Sequence, residues 1–279
     1  VSRLHRKMAN VLWDAIGDTE KAKEHHEEAL KILETEPESV ELASLYADMA
    51  RLLWHTGDMA KALSWAEKAL ELAKKMNAFE VIAEAYTNLA LVFTATGEPK
   101  KALECLERAL KIALDNDYME GALRIYNNLA NQVADEEIER GLEYLEKGFE
   151  LAKKVGHIRW VSWMGSALAG MYVGIGDMNK ALLLAEQSVT LDRKTHSLSN
   201  LTLSLAGLGY VYQVLGEWDK SEQYYKEALD ISQKTGRFQD IARSCAFLGY
   251  FYDLAKGEYA KAKEFHEKAY QVCEEAKAK

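Results

Sequence analysis

One pattern recurs seven times along this chain of 279 residues. Each copy has a small residue in an apolar helical stretch, a turn about seven residues later, and a second small residue beyond that turn. The turn is Gly-acidic in six copies, and the fourth copy has Ala134 before its acidic residues instead. Successive copies are 41, 40, 40, 39, 40 and 40 residues apart. A nearly constant period over a whole chain indicates a solenoid, in which each repeat buries its apolar face only against its neighbours. The small residues that mark the copies are Ala9, Ala50, Ala90, Ala130, Ala169, Gly209 and Gly249.

Each copy predicts two antiparallel helices. In the third copy, residues 83–93 have apolar side chains at helical spacing, and Gly97 interrupts them. Pro99 then stands where the first turn of a helix needs no N–H donor, and a second amphipathic stretch follows. We therefore predict an all-α fold, a right-handed superhelical α-solenoid of seven helix pairs that forms a single domain over residues 1–279. The predicted repeats cover residues 1–36, 37–77, 78–117, 118–156, 157–196, 197–236 and 237–279.

Charge and composition narrow the possible partners. The net charge is −9 and the chain has no basic run, so we expect no direct binding to nucleic acid. The longest uncharged stretch, 195–216, contains polar side chains and keeps the repeat spacing, so we expect no membrane span. The odd number of cysteines, Cys105, Cys245 and Cys273, predicts buried thiols in a reducing, cytoplasmic compartment.

No motif for catalysis or for a cofactor stands out. The chain has no nucleophile elbow and no glycine-rich phosphate loop, and an open groove holds reacting groups poorly. The run His25-His26-Glu27-Glu28 lacks the spacing of a zinc site, and His26 shares its repeat position with aromatic packing residues. We therefore predict a protein that is not an enzyme and that has no metal and no cofactor.

The turns and small residues described above, with runs such as Asn88-Leu89-Ala90 and Leu208-Gly209-Tyr210, resemble those of a known family. The resemblance implies the tetratricopeptide repeat fold over essentially the whole chain, although the family's usual period is about 34 residues rather than about 40. The long form is similar to the sensor arms of maltose-regulon-activator-type signalling ATPases and to kinesin light chain, whose repeats carry a run like Asn127-Asn128-Leu129-Ala130. The residues that carry the resemblance include Asn88-Leu89-Ala90, Gly97-Glu98, Ala102 and Ala109, and then Leu208-Gly209-Tyr210, Gly216-Glu217-Trp218 and Ala228.

The resemblance also implies that the first helix of each pair lines a concave groove. In each first helix, we count from the marking residue to the positions whose side chains would face the groove. These positions give the predicted binding residues, and Asp14 and Asp135 also occupy them. The predicted binding residues are Arg3, Arg6, Trp13, Arg51, Trp54, Arg124, Asn127, Asn131, Trp163, Tyr210, Gln213, Arg243 and Tyr250.

The first zone of this groove is basic, with Arg3, Arg6 and Arg51 beside Trp13 and Trp54. Guanidinium groups next to flat aromatic rings suit a carboxylate, a phosphate or an aromatic ligand. The alternative is solvated surface charge, with the tryptophans packed between helices.

A second, polar zone contains Asn88, Asn127, Asn128 and Asn131, whose amides could pair with a peptide backbone. The alternative, favoured for Asn88 and Asn128, is bonding inside the helix pair.

The third zone is apolar, because residues 160–176 and 195–216 carry no formal charge. A hydrophobic lining of the groove in these stretches would form a binding site for a ligand or a partner protein. The alternative is close helix packing at the glycines of these stretches, which are Gly165, Gly170, Gly174, Gly207 and Gly209.

Together these features predict an interaction module that binds a protein or peptide in the concave groove, as a sensor or scaffold part of a larger protein. The alternative is a small-molecule inducer sensor fused to a signalling ATPase or transcription regulator. Because the helical pattern begins at Val1, we interpret the sequence as a piece of a longer protein.

Overall fold

The structure is a computed structural model that describes residues 1–13, 18–134 and 137–277. Within these ranges the secondary structure is helical, and no strand is present. Each predicted repeat contains one helix pair, so the predicted all-α helical-repeat fold is confirmed. The helices are α1 (Ser2–Val11), α2 (Thr19–Leu33), α3 (Val40–Thr56), α4 (Met59–Lys75), α5 (Phe79–Ala95), α6 (Pro99–Asp115), α7 (Met119–Val133), α8 (Ile138–Lys154), α9 (Ile158–Gly174), α10 (Met178–Thr195), α11 (Leu198–Val214), α12 (Trp218–Thr235), α13 (Phe238–Phe251) and α14 (Tyr259–Lys277), with a π-helical turn at Tyr252–Lys256.

The chain divides into two compact units, an N-terminal unit (Val1–Tyr144) and a C-terminal unit (Leu145–Lys279). The boundary falls inside α8. In each unit the odd-numbered helices are the first helices of the repeats and the even-numbered helices are the second. The prediction of a single domain over residues 1–279 stays a prediction.

The Gly-acidic turn has a separate task for each of its two residues. Gly57 has φ 89° and Gly97 has φ 80°, the left-handed region that glycine adopts without steric cost. Where the acidic residue is an aspartate, it caps the second helix: Asp58 Oδ1 accepts the backbone N–H of Lys61 at 3.2 Å. Glu98 and Glu217 make no such side-chain bond. The corresponding first turn, at Gly17, and residues 135–136 of the fourth turn lie outside the described residues.

Small residues at fixed positions let the two helices of a pair approach closely. A Cβ added to Gly209 would lie 3.0 Å from the ring of Tyr225, and one added to Gly249 would lie 2.6 Å from the ring of His266. In contrast, a Cβ at Gly170 or at Gly207 would meet no atom within 4 Å. The expectation of close packing at glycine therefore holds for Gly209 and fails for Gly170 and Gly207, which face open space.

The described residues include no helix that combines the length and the apolar composition of a membrane span. The three cysteines are free thiols. Cys245 is fully buried, and burial raises the pKa of its thiol.

Candidate functional site

A cavity of about 320 Å³ lies among the first helices of the N-terminal unit. Helices α1, α3, α5 and α7 supply its walls, because consecutive first helices contact one another. Side chains that line it come from all four repeats of this unit. They are Arg6, Asn10, Ala47, Asp48, Arg51, Trp54, His55, Glu84, Thr87, Asn88, Leu91, Arg124 and Asn128.

A buried carboxylate, Asp48, organises one end of the cavity. The Arg6 guanidinium donates to Asp48 Oδ2 at 2.8 Å and to Glu41 Oε1 at 2.8 Å. Asn10 also donates to Asp48 Oδ2, at 2.9 Å. Burial alone would lower the pKa of Arg6, but the hydrogen bond to Glu41 and the charge of Asp48 outweigh burial and raise that pKa. Arg6 is therefore held as a paired cation across α1 and α3.

Aromatic rings and a second arginine form the adjoining wall. The Arg51 guanidinium carbon lies 4.6 Å from the centre of the Trp13 ring, and Arg51 Nη2 lies 3.7 Å from Asp48 Oδ1. His55 packs edge-on against Trp13 and against Trp54, with ring centres 4.7 Å apart in each case. The indole N–H of Trp54 donates to the Leu91 carbonyl of α5 at 3.1 Å. The tryptophans thus pack between helices, as the alternative interpretation of the basic zone expected. Arg6 and Arg51 are paired with carboxylates rather than freely solvated.

A second ion pair stands at the other end of the cavity. Arg124 Nη2 lies 3.2 Å from Glu84 Oε1, and the Tyr118 hydroxyl donates to the same oxygen at 2.8 Å. Burial raises the pKa of Tyr118, and the charge of Glu84 raises it further, so Tyr118 stays a hydrogen-bond donor. The lining side chains therefore comprise three arginines and two carboxylates, and they offer both donors and acceptors.

The asparagines divide between two roles. Asn88 is buried and donates to the Ala47 carbonyl of α3 at 2.8 Å, so it joins neighbouring repeats. Asn88 and Asn128 both line the cavity, whereas Asn127 and Asn131 do not. The expectation that Asn88 bonds inside its own helix pair is therefore wrong, because its amide reaches the preceding first helix.

The first helices of the C-terminal unit present exposed aromatic side chains. Trp163 is 39% exposed, Tyr210 43% and Tyr250 57%. Tyr250 packs edge-on against His266 at 5.0 Å between ring centres, and Gln213 accepts a hydrogen bond from the Tyr225 hydroxyl at 3.1 Å. Within the predicted apolar zone, Trp163 and Tyr210 are thus partly exposed, whereas Met164 and Leu205 are buried.

The predicted binding residues differ in whether they line the cavity of the N-terminal unit. Arg6, Arg51, Trp54 and Arg124 line the cavity, and Trp13 stacks with Arg51. Arg3 is exposed and is not a lining residue. Arg243 lies on α13, with Nη1 3.8 Å from Asp240 Oδ1.

The prediction missed Asp48 altogether, because its position two residues before Ala50 was not projected inward. A usable signal was present: Asp48 and Arg51 are three residues apart in an otherwise apolar stretch of α3. Asp14 and Asp135 lie outside the described residues.

Among the described residues, no group of three or more His, Cys, Asp or Glu side chains could hold a metal ion.

Comparison with protein families places the sequence in one group. The tetratricopeptide repeat model matches residues 1–75 and 200–275, and a second tetratricopeptide repeat model matches residues 83–116. Together these segments cover more than half of the chain. No curated protein sequence gives a significant match.

Solved structures are similar to the chain at low sequence identity. The Rap conjugation gene regulator of plasmid pLS20, in complex with the Phr* peptide, is 16% identical; the match covers 99% of this chain and 74% of that one, with a TM-score of 0.72. The STAND protein with a tetratricopeptide repeat sensor from Pyrococcus horikoshii is 19% identical, with 99% and 43% coverage and a TM-score of 0.68. Kinesin light chain-type TPR-like repeats from Podosopora anserina are 23% identical, with 71% and 97% coverage and a TM-score of 0.56. These likenesses show the fold, and they include both kinds of protein that the repeat pattern resembles.

Proposed function

The chain belongs to the tetratricopeptide repeat family, and from that premise we propose that it is a non-enzymatic module that binds a protein or peptide segment along its first helices. The observation that carries this proposal is the cavity of the N-terminal unit. Its walls combine paired arginines and carboxylates with tryptophan and asparagine side chains.

Such a lining suits a peptide. A peptide backbone offers N–H donors and C=O acceptors in alternation, and the cavity offers carboxylate acceptors and guanidinium or amide donors. The ion pairs hold these groups in place before a ligand arrives, so little ordering is needed on binding. The Rap regulator of similar fold is solved with a bound peptide, and the likeness supports a ligand of the same kind here.

Within the C-terminal unit, we propose that Trp163, Tyr210 and Tyr250 take part in binding, and their exposed rings support this. Aromatic and arginine side chains dominate binding energy where a partner desolvates them. We keep Asn127, Asn131, Gln213, Arg3 and Arg243 as secondary members of the proposed set.

One observation favours a second candidate, a small-molecule inducer sensor fused to a signalling ATPase or transcription regulator. The cavity volume of about 320 Å³ falls at the lower end of the range of small-molecule sites. The STAND protein of similar fold carries its tetratricopeptide repeats as a sensor. In either role we propose a cytoplasmic location.

The test starts from a peptide selected by display against the whole chain. Arg51→Ala and Tyr210→Ala should each weaken its binding by about tenfold or more, measured by fluorescence anisotropy, because both remove a side chain type typical of binding hot spots. The controls Glu143→Ala and Lys226→Ala change exposed charges on second helices and should leave binding unchanged. Helical circular dichroism verifies that all four variants fold. If the second-helix variants lost binding and the first-helix variants did not, the proposed surface would be wrong.

A further inference from the structure

Several repeats share an arrangement that fills the space between consecutive helix pairs. An aromatic ring stands three residues after the marking small residue, and the ammonium group of a lysine in the first turn of the following second helix lies close to its face. The Nζ-to-centroid distances are 5.3 Å for Lys101 and Phe93, 4.9 Å for Lys180 and Tyr172, 5.1 Å for Lys220 and Tyr212, and 5.1 Å for Lys261 and Tyr252.

All three of these tyrosines also bond to a glutamate of the preceding second helix; the Tyr252 hydroxyl donates to Glu222 Oε1 at 2.8 Å. The Tyr172 hydroxyl donates to Glu146 Oε1 at 2.5 Å, and the Tyr212 hydroxyl donates to Glu186 Oε1 at 3.1 Å. The glutamate precedes Tyr172 and Tyr212 by 26 residues and precedes Tyr252 by 30. Burial and the hydrogen bond to Glu146 raise the pKa of Tyr172 to about 12, so the phenol stays a donor at neutral pH.

The second repeat has the lysine and the glutamate of this arrangement but lacks the aromatic ring. Leu53 occupies the aromatic position, since it follows Ala50 by three residues. Lys61 stands 8 residues after Leu53, as Lys180 does after Tyr172, and Glu27 stands 26 residues before Leu53. Lys61 is held in place by Asp58, whose Oδ2 lies 2.8 Å from Lys61 Nζ.

A cavity of about 490 Å³ lies at this place in the N-terminal unit, between α2, α3 and α4. Leu30, Leu52 and Leu53 give it an apolar lining, Trp65 lines it as well, and both Glu27 and Lys61 are among its lining residues. In the next interface, Leu63 and Phe93 each pack against the same core cluster. Because Leu53 is smaller than an aromatic residue, the space that a ring fills in other repeats stays open here.

We propose that this cavity is a second binding site, for a small aromatic molecule that carries a hydroxyl group. The ligand's ring occupies the space that an aromatic side chain at position 53 would fill, and it covers Leu52 and Leu53. Its hydroxyl donates to Glu27, as Tyr172 does to Glu146, and Lys61 lies against its face. The volume falls within the range of small-molecule sites. The site shares no residue with the first-helix cavity and does not depend on the proposed peptide ligand.

The test uses p-cresol, the side chain of tyrosine as a free molecule, titrated into the whole ¹⁵N-labelled chain. We expect p-cresol to shift the amide resonances of Leu30, Leu52 and Leu53. Toluene, which has the ring without the hydroxyl, should bind about tenfold more weakly because it makes no hydrogen bond to Glu27. Leu53→Tyr should weaken p-cresol binding by about tenfold or more and raise the thermal midpoint, because the new side chain fills the site.

A reciprocal variant provides the matched control. Tyr172→Leu removes a ring from an interface that has one, so it should create a second p-cresol site that the amides around Glu146 report. The proposal is overturned if p-cresol shifts none of the cavity amides in the unsubstituted chain, or if Leu53→Tyr binds p-cresol as well as that chain does. Equal binding of toluene and p-cresol would overturn the role assigned to Glu27. Should Tyr172→Leu fail to fold, the Leu53→Tyr comparison still decides the question.

Discussion

Acid should destabilise the N-terminal unit through one buried histidine. His26 on α2 is only 2% exposed, and neither of its ring nitrogens has a hydrogen-bond partner among the described residues. Burial is the largest cause that lowers its pKa to about 4; the charges of Arg51, Arg6 and His25 lower it further, and Asp48 opposes them. The imidazole therefore stays neutral in the folded chain at a pH where it is protonated in the unfolded chain.

The size and sign of the effect follow from this pKa. Below about pH 6.5 the unfolded chain binds a proton at His26 that the folded chain does not bind until about pH 4. His26 therefore does not change the free energy of unfolding above about pH 6.5. The free energy of unfolding decreases as the pH falls from about 6.5 to about 4. A shift from 6.5 to about 4 corresponds to about 3 kcal/mol of unfolding free energy at the acid end.

The comparison variant is His26→Leu, because Leu106 and Leu145 occupy the same repeat position. Carboxylates titrate in both proteins, so the difference between the two pH profiles isolates the histidine. Repeat proteins unfold in parts, and we therefore follow hydrogen exchange of the α2 amides at about pH 7 and about pH 4.5. The unsubstituted chain should lose roughly 2–3 kcal/mol more protection in α2 than the variant does. Equal losses in both proteins would refute the reasoning.

Two further predictions concern packing, and urea denaturation checks both. Ala102 is fully buried, so Ala102→Leu should overpack its helix pair and cost about 1–3 kcal/mol, while Glu104→Leu on the exposed face should change stability by less than about 0.5 kcal/mol; equal midpoints would show that the repeat positions are misassigned. Gly170→Ala should stabilise α9 by about 0.5–1 kcal/mol, because a Cβ there meets no atom within 4 Å. Gly249→Ala should instead destabilise, because its Cβ would lie 2.6 Å from the His266 ring, and a gain in stability would contradict that geometry.

The repeat spacing and the order of elements were predictable because they depend on short-range chemistry. Pro99 begins α6 as predicted, and Gly57 and Gly97 adopt the left-handed conformation that ends a first helix. Some helix ends were harder to foresee: Asn77, Asp117 and His196 also have positive φ, which sequence alone predicts poorly for residues other than glycine.

The binding surface was predictable only in part. Inward positions identified Arg6, Arg51 and Arg124, since the repeat places equivalent residues on the same helix face. Their pairing was not predictable, because Arg6 meets Asp48 across 42 residues of sequence and side-chain conformation selects that contact.

The sequence by itself determined the helical repeat, its period and the faces that the helices present, because each of these follows from spacing along a few turns and from contact with neighbouring repeats. Only the tertiary structure decided how the inward charges neutralise one another and that Asn88 joins α5 to α3. It alone also showed that Leu53 leaves a cavity beside Glu27 and Lys61. These features depend on distances of a few ångströms between side chains of different helices, and a sequence period does not specify such distances.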